Sequence, residues 1–302
     1  MPEQRTLPRS TYVTMLLLTI GWGCNWPMIK MAVSGMSPYL FRAYCVLAGA
    51  IGMFAIARVG GLSLRVPQGQ WGSLCAAAFF NITVWNVTSA IAVKHLPAGR
   101  SAVLAYTMPL WTVLLSWPIL GEKLTRRRLL GVAFGMAGML LLLGEHIVAL
   151  RGAPIGTLLI LCAALSWALG TLMLKRYPVA LPPTVLTGWQ MLIGGAPIVI
   201  ATVWFEYDQI APVYGATLVS LLYNLIVAAI LCHWAWFKIV AATPASVASL
   251  ATLMIPVIGV FSSMLLLGEQ PTWQEYAALL LVVAAVATVV VPARRASARN
   301  QA

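Results

Sequence analysis

Long apolar runs alternate with short polar stretches along most of the chain. A helix needs about 20 predominantly apolar residues to cross the hydrocarbon core of a bilayer. The pattern predicts ten membrane-spanning helices, which cover residues 11–32, 38–57, 70–93, 98–118, 127–144, 154–174, 183–204, 215–237, 245–267 and 273–292. The connections between them are short, so the sequence predicts an all-α membrane protein without a soluble domain.

The composition supports a membrane protein. Of the 302 residues, 61% are hydrophobic and 9% are charged, whereas a soluble domain is nearer half apolar and a quarter charged. The net charge of +12 lies at the ends of the apolar runs, and no solvated basic face with interleaved aromatic residues indicates a nucleic-acid partner. The five cysteines lie inside apolar runs, which is typical of small core residues and not of disulfides or metal ligands.

The basic residues predict the orientation in the membrane. Cytoplasmic loops carry an excess of lysine and arginine. If both termini are cytoplasmic, most basic residues lie on that side, and the acidic residues Glu206, Asp208, Glu269 and Glu275 lie outside. The sequence therefore predicts that both termini are cytoplasmic.

The chain contains an internal repeat. Residues of the fourth span and the loop after it recur 147 positions later, where Pro97, Pro109, Gly121 and Glu122 become Pro244, Pro256, Gly268 and Glu269. Residues of the first two spans recur 145 positions later, where Trp22, Lys30 and Gly49 become Trp167, Lys175 and Gly194. These matches predict two halves of five spans each, residues 1–150 and 151–302.

An odd number of spans in each half means that the second half enters the membrane from the opposite side. The repeated motif agrees, because GEKLTRRRL (121–129) is basic and GEQPTWQEY (268–276) contains no basic residue. Positive charge is favoured in cytoplasmic loops and disfavoured outside. The sequence therefore predicts two inverted five-helix repeats, which are common in secondary transporters that hold their substrate near the bilayer midplane.

Together these features resemble the drug/metabolite transporter superfamily, in its EamA-type exporter branch. The resemblance lies in the GWGCNWPMIK first span, the proline-centred fourth and ninth spans and the repeated Gly-Glu pair, and it covers essentially the whole chain. It implies a monomer-sized, multi-pass transport unit in the inner membrane, without a cofactor, that exports a small metabolite. It also implies a central cavity formed mainly by spans 1, 3, 4, 6, 8 and 9. The tryptophan richness is similar to that of the aromatic amino-acid exporters of this branch.

The first span offers candidate cavity residues. Trp22, Asn25 and Trp26 share one helical face because they are three and four residues apart. An amide between two indoles is costly against lipid unless it finds a partner. The Asn25 amide either hydrogen-bonds a neighbouring helix and supports packing, or lines a cavity. In such a cavity the indoles would stack on an aromatic ring of the substrate and the amide would hydrogen-bond the substrate's amino-acid group. Trp167, the repeat partner of Trp22, favours the cavity.

Spans 3 and 8 offer further candidates. Asn81 and Trp85 lie four residues apart and form a second stripe of polar and aromatic side chains. His233 lies well inside span 8 and is the repeat partner of Asn86. A buried histidine is either a satisfied structural donor or a proton carrier, and both interpretations stay open for His233.

Two prolines lie at equivalent positions in spans 4 and 9. Pro109 and Pro256 each remove an intrahelical hydrogen bond and kink the helix. Tyr106, three residues before Pro109, is a further candidate cavity residue. The kinks either allow bending during transport or only shape the cavity.

The charged residues limit the substrate class. All seven acidic residues lie in tails, loops or span ends, so no carboxylate is expected at the bilayer centre, where ion-coupled carriers usually keep one. Arg42 in span 2 is close enough to the outer interface to snorkel, which favours a structural role. A cavity without fixed charge suits a zwitterion or a neutral solute with a large apolar side chain.

The sequence thus predicts a transporter that exports small metabolites, foremost aromatic or hydrophobic amino acids, by alternating access. The alternatives are a multidrug exporter and an exporter of neutral metabolites such as nucleosides. An intramembrane enzyme is a distant alternative, because Asp208 is the sole aspartate and no catalytic or metal-binding constellation is evident. A channel is disfavoured because no ring of charge is evident.

Overall fold

A computed structural model describes residues 9–122, 125–148, 154–242 and 254–290. Within these ranges the chain is helical and contains no strand, which confirms the all-α class. The α-helices, numbered α1 to α14, are Arg9–Gly23, Asn25–Gly35, Pro38–Val59, Trp71–Ala78, Trp85–His95, Ala98–Ala105, Met108–Leu120, Arg126–Val148, Pro154–Arg176, Pro183–Phe205, Gly215–Leu222, Cys232–Ala242, Ile255–Leu267 and Trp273–Val290. Two π-helical segments, π1 (Phe79–Val84) and π2 (Tyr223–Leu231), and a 3₁₀ turn (Tyr207–Gln209) join some of them.

Six of the predicted spans correspond to helices that are long and apolar enough to cross a membrane: Pro38–Val59, Trp71–His95, Ala98–Leu120, Ile155–Arg176, Pro183–Phe205 and Gly215–Trp236. Shorter apolar helices occupy Leu129–Leu141, Ile255–Leu267 and Trp273–Thr288. The first predicted span is divided at Cys24 into α1 and α2. The start of the ninth predicted span lies outside the described residues, and the count of ten spans stays a prediction.

The repeated glycines allow helices to approach closely. A Cβ atom on Gly194 in α10 would lie 2.5 Å from the carbonyl oxygen of Ala78 in α4. A Cβ atom on Gly49 in α3 would lie 2.4 Å from the sulfur of Met191 in α10. Both distances are shorter than van der Waals contact. At Gly194 the obstacle is backbone and excludes a side chain, whereas at Gly49 it is the flexible end of the Met191 side chain.

We expect the Gly194→Ala substitution to destabilise the protein by about 1–3 kcal/mol, because the backbone carbonyl of Ala78 cannot move aside. The measurement is the thermal unfolding midpoint in detergent. Gly72→Ala is the matched control, because a Cβ atom there meets nothing within 4 Å and alanine favours the helix. An equal loss of stability in both variants would contradict close packing at Gly194.

The two repeated Gly-Glu pairs lie at opposite ends of one long helix. Gly121 and Gly268 have φ angles of 69° and 67° and terminate α7 and α13, as expected of glycine at a helix C-terminus. Glu122 therefore follows the C-terminal end of the helix Ala98–Leu120, and its carboxylate pairs with Lys175 in α9. Glu269 lies at the N-terminal end of the same helix.

The carboxylate of Glu269 caps that N-terminal end. It accepts hydrogen bonds from the Ala98 N–H (2.7 Å) and the Gly99 N–H (3.0 Å). A carboxylate is stabilised there by unpaired N–H groups and by the helix dipole. A helix of 23 residues is about 35 Å long, so the two glutamates are separated by about the thickness of a bilayer core.

Candidate functional site

A cavity of about 180 Å³ lies between the helices of the two predicted halves. For comparison, an apolar cavity of about 150 Å³ holds a benzene ring. All eight residues predicted from the sequence line it: Trp22, Asn25, Trp26, Asn81, Trp85, Tyr106, Trp167 and His233. The other lining residues are Ile29, Arg42, Cys45, Val46, Ile82, Asn86, Ser89, Met108, Met191, Asn224, Ala228 and Ala229.

The break between α1 and α2 gives the cavity its first wall. Trp22 lies just before the break, and Asn25 and Trp26 lie just after it. The indole N–H of Trp22 donates to the carbonyl oxygen of Ala228 (3.3 Å). The carboxamide oxygen of Asn25 is buried and has no hydrogen-bond partner. The interruption is confined to one turn, since Cys24 keeps α-helical dihedral angles and its N–H donates to the carbonyl oxygen of Ile20 (2.8 Å). It was not predicted from the sequence.

Two π-helical segments form further parts of the wall. Asn81 lies in π1, and its amide N–H donates to the Gln190 side chain in α10 (3.1 Å). The repeat partners of the π1 residues, 226–231, lie inside π2. Short π-helical turns are frequent at functional sites. Neither segment was predicted, because no residue type is diagnostic of π-helix.

His233 has a structural hydrogen bond in this cavity. Its Nδ1 atom lies 3.0 Å from the carbonyl oxygen of Ala228, which can only accept, so Nδ1 is the protonated nitrogen. Its ring stands edge-on to Trp22, with centroids 5.4 Å apart and planes at 82°. This arrangement favours the structural interpretation of His233.

The indoles of Trp85 and Trp167 meet in the cavity. Trp85 lies in α5 and Trp167 in α9, so the pair joins the two predicted halves. Their ring centroids are 5.1 Å apart and their planes are inclined by 59°. Both side chains are half-buried, so an aromatic ligand could contact them.

The fourth predicted span is interrupted beside the cavity. Tyr106 and Thr107 form a turn between α6 and α7, and Pro109 lies in the first turn of α7. The Thr107 N–H donates to Leu104 (3.1 Å), which tightens the turn. Pro256 lies in the first turn of α13, and the residues just before that helix lie outside the described part of the chain. Whether these positions bend during transport stays a prediction.

Arg42 corrects two expectations. Its side chain is only 6% exposed and lines the cavity, so the prediction that it snorkels to the interface is wrong. Since Arg42 is a permanent cation, the expectation of a cavity without fixed charge is also wrong. The signal lay in helical spacing: Arg42, Cys45 and Gly49 share one face of α3, and that face packs against α10 and π2.

The chain is similar to known proteins in sequence and in fold. Residues 9–144 and 154–291 each match the EamA-like transporter family. An uncharacterized transporter of Bacillus subtilis, YvbV, is 29% identical over 94% of this chain and 93% of its own length. A probable amino-acid metabolite efflux pump of Salmonella typhimurium is 28% identical over 89% of this chain and 91% of its own length. A solved crystal structure has a TM-score of 0.68 over 96% of this chain and 99% of that one, at 21% identity, so the two share a fold.

Proposed function

Because the chain belongs to the EamA-like transporter family and is a multi-pass protein of the inner membrane, we propose that it exports amino acids with apolar, foremost aromatic, side chains. The observation that carries the proposal is the cavity in which Trp22, Trp85 and Trp167 surround buried polar groups. Indole rings offer flat apolar contact for an aromatic side chain. The efflux-pump name of the Salmonella relative supports the amino-acid class.

The proposed mechanism is alternating access. The two halves, residues 1–150 and 151–302, insert in opposite senses with both termini cytoplasmic, and rock around the cavity between them. The positions of Glu122 and Glu269 at opposite ends of the helix Ala98–Leu120 support this arrangement. Pro109 and Pro256, in the first turns of α7 and α13, are the proposed bending points.

The proposed transport is not coupled to His233. Among the described residues that line the cavity there is no aspartate or glutamate, and the Nδ1 proton of His233 is held by a backbone carbonyl. We expect the initial rate in liposomes to be flat between about pH 6 and about pH 8, the range in which histidine normally titrates. This prediction would be contradicted if the initial rate changed with pH as expected for the titration of one group, and if that pH dependence were lost in His233→Gln.

Transport by the purified protein tests the proposed substrate. Liposomes that contain it are supplied with radiolabelled phenylalanine, tryptophan, leucine, a nucleoside or a lipophilic cation, and protein-free liposomes are the control. We expect the aromatic amino acids to move fastest. Movement of the cation without the amino acids would favour a multidrug exporter, and movement of the nucleoside alone would favour a neutral-metabolite exporter.

A further inference from the structure

We propose that Arg42 binds the carboxylate of the substrate and that the carboxamide oxygen of Asn25 accepts a hydrogen bond from its ammonium group. This inference rests on the proposed function and assigns the polar half of the substrate to named atoms. It requires that the substrate carry both groups, as an α-amino acid does.

The hydrogen bonds of Arg42 leave part of its guanidinium unused. One Nη2–H donates to the Ser89 hydroxyl in α5 (3.1 Å), and the Nε–H is buried without a partner. Among the described residues no carboxylate forms an ion pair with Arg42, and none lines the cavity. The carboxylate of Glu206 is bound by the Ser37 hydroxyl and the Leu40 N–H at the start of α3.

A buried guanidinium without a counter-ion is costly in a membrane protein. Charged residues in membrane-spanning helices usually face a cavity and mark the path of a substrate or ion. Guanidinium matches a carboxylate particularly well, because its parallel N–H groups can bind both carboxylate oxygens. The unpaired Arg42 N–H is therefore best explained by an anionic group that enters the cavity from outside the chain.

Asn25 presents the opposite chemistry in the same cavity. Its Oδ1 atom is a buried acceptor without a donor, and a buried unsatisfied acceptor is destabilising until a donor arrives. An ammonium group supplies three N–H donors. Asn81 Oδ1 is a second buried acceptor without a donor in this cavity. The cavity thus holds one unpaired donor, two unpaired acceptors and an aromatic surface, which together match a zwitterionic amino acid with a large apolar side chain.

The polar groups are not repeated in the second half. At the offset of 145 residues that relates the first spans, Arg42 corresponds to Thr187 and Asn25 to Gly170. The aromatic groups are partly repeated, since Trp22 corresponds to Trp167. A single Arg42 in a pseudo-symmetric cavity would fix one orientation of the substrate.

Competition binding tests the inference directly. Detergent-purified protein is incubated with radiolabelled phenylalanine and competed with 3-phenylpropanoate, which lacks the ammonium, or with 2-phenylethylamine, which lacks the carboxylate. In the wild type we expect 3-phenylpropanoate to compete and 2-phenylethylamine not to. In Arg42→Met we expect phenylalanine affinity to fall roughly 10- to 100-fold, as for the loss of a charged hydrogen-bond pair, and the preference for the carboxylate to disappear.

Two further variants separate binding from structure. Arg58→Met is the matched control, because Arg58 lies in the same helix, is exposed and does not line the cavity, and it should bind like the wild type. Asn25→Leu should weaken the binding of phenylalanine but not the binding of 3-phenylpropanoate. If Arg42→Met does not fold, the wild-type competition still decides, since equal competition by the amine and the carboxylate would overturn the role of Arg42.

The outcomes also separate this inference from the proposed function. If the wild type binds no amino acid, but binds radiolabelled 3-phenylpropanoate in an Arg42-dependent manner, the amino-acid substrate is wrong and the carboxylate site stands. If phenylalanine is transported and Arg42→Met binds it as well as the wild type does, the proposed function stands and the Arg42 inference is overturned.

Discussion

Replacing Trp85 with alanine will slow phenylalanine transport roughly 10- to 100-fold, because the substitution removes a large apolar surface and its ring contact from the cavity. Trp85 is the α5 partner of Trp167, with ring centroids 5.1 Å apart. Its loss removes aromatic contact at the junction of the two halves. The measurement is the initial transport rate in liposomes that contain equal amounts of each protein.

The matched control is Trp71→Ala in the same continuous helix, Trp71–His95. Trp71 also contacts another tryptophan, Trp189, with centroids 5.3 Å apart, but it does not line the cavity. The two positions are about 21 Å apart along the helix. We expect Trp71→Ala to transport nearly as fast as the wild type. Equal losses in both variants would show that the effect comes from packing and not from substrate contact.

Replacing Glu269 with alanine will destabilise the protein by about 2–4 kcal/mol, because two backbone N–H groups at the start of α6 lose a charged acceptor. These hydrogen bonds, from Ala98 and Gly99, join residues of the two predicted halves. The thermal unfolding midpoint in detergent reports the stability. We also expect slower transport, because the lost contacts join the two predicted halves.

The repeat partner provides the control for this prediction. Glu122 pairs with Lys175, and the two side chains are 28% and 58% exposed. An exposed ion pair contributes about 0–1 kcal/mol, so Glu122→Ala should cost much less than Glu269→Ala. An equal loss of stability in the two variants would contradict the prediction that the Glu269 cap stabilises the protein more than the Glu122–Lys175 ion pair does.

Most helices could be predicted from the sequence, because long apolar runs and glycines at helix C-termini are local signals. The end of α7 at Gly121 and of α13 at Gly268 follows from glycine's tolerance of positive φ. The break at Cys24 did have a local signal that the prediction left unused: Pro27, three residues later, has no N–H to donate to the carbonyl oxygen of Gly23. The π-helical segments were missed because their residues equally suit an α-helix.

The cavity residues were predicted better than the cavity's charge. Trp22, Asn25 and Trp26 stood out because polar and aromatic side chains shared a face in an apolar segment. Arg42 was misjudged because its distance from the helix end was weighed above the face it occupies. Helical spacing places Arg42 on the same face of α3 as Gly49. That this face packs against α10 and π2 is decided by tertiary packing, which the hydrophobic pattern does not encode in a uniformly apolar helix.

The central claim is that the two halves insert in opposite senses around the cavity, and the accessibility of two loops tests it most directly. In a cysteine-free background, Thr125→Cys and Gln270→Cys each place one thiol in an exposed position after a repeated Gly-Glu pair. A membrane-impermeant maleimide is applied to right-side-out and inside-out membrane vesicles. We expect Gln270→Cys to be labelled only in right-side-out vesicles and Thr125→Cys only in inside-out vesicles. Labelling of both positions from the same side would contradict the inverted arrangement.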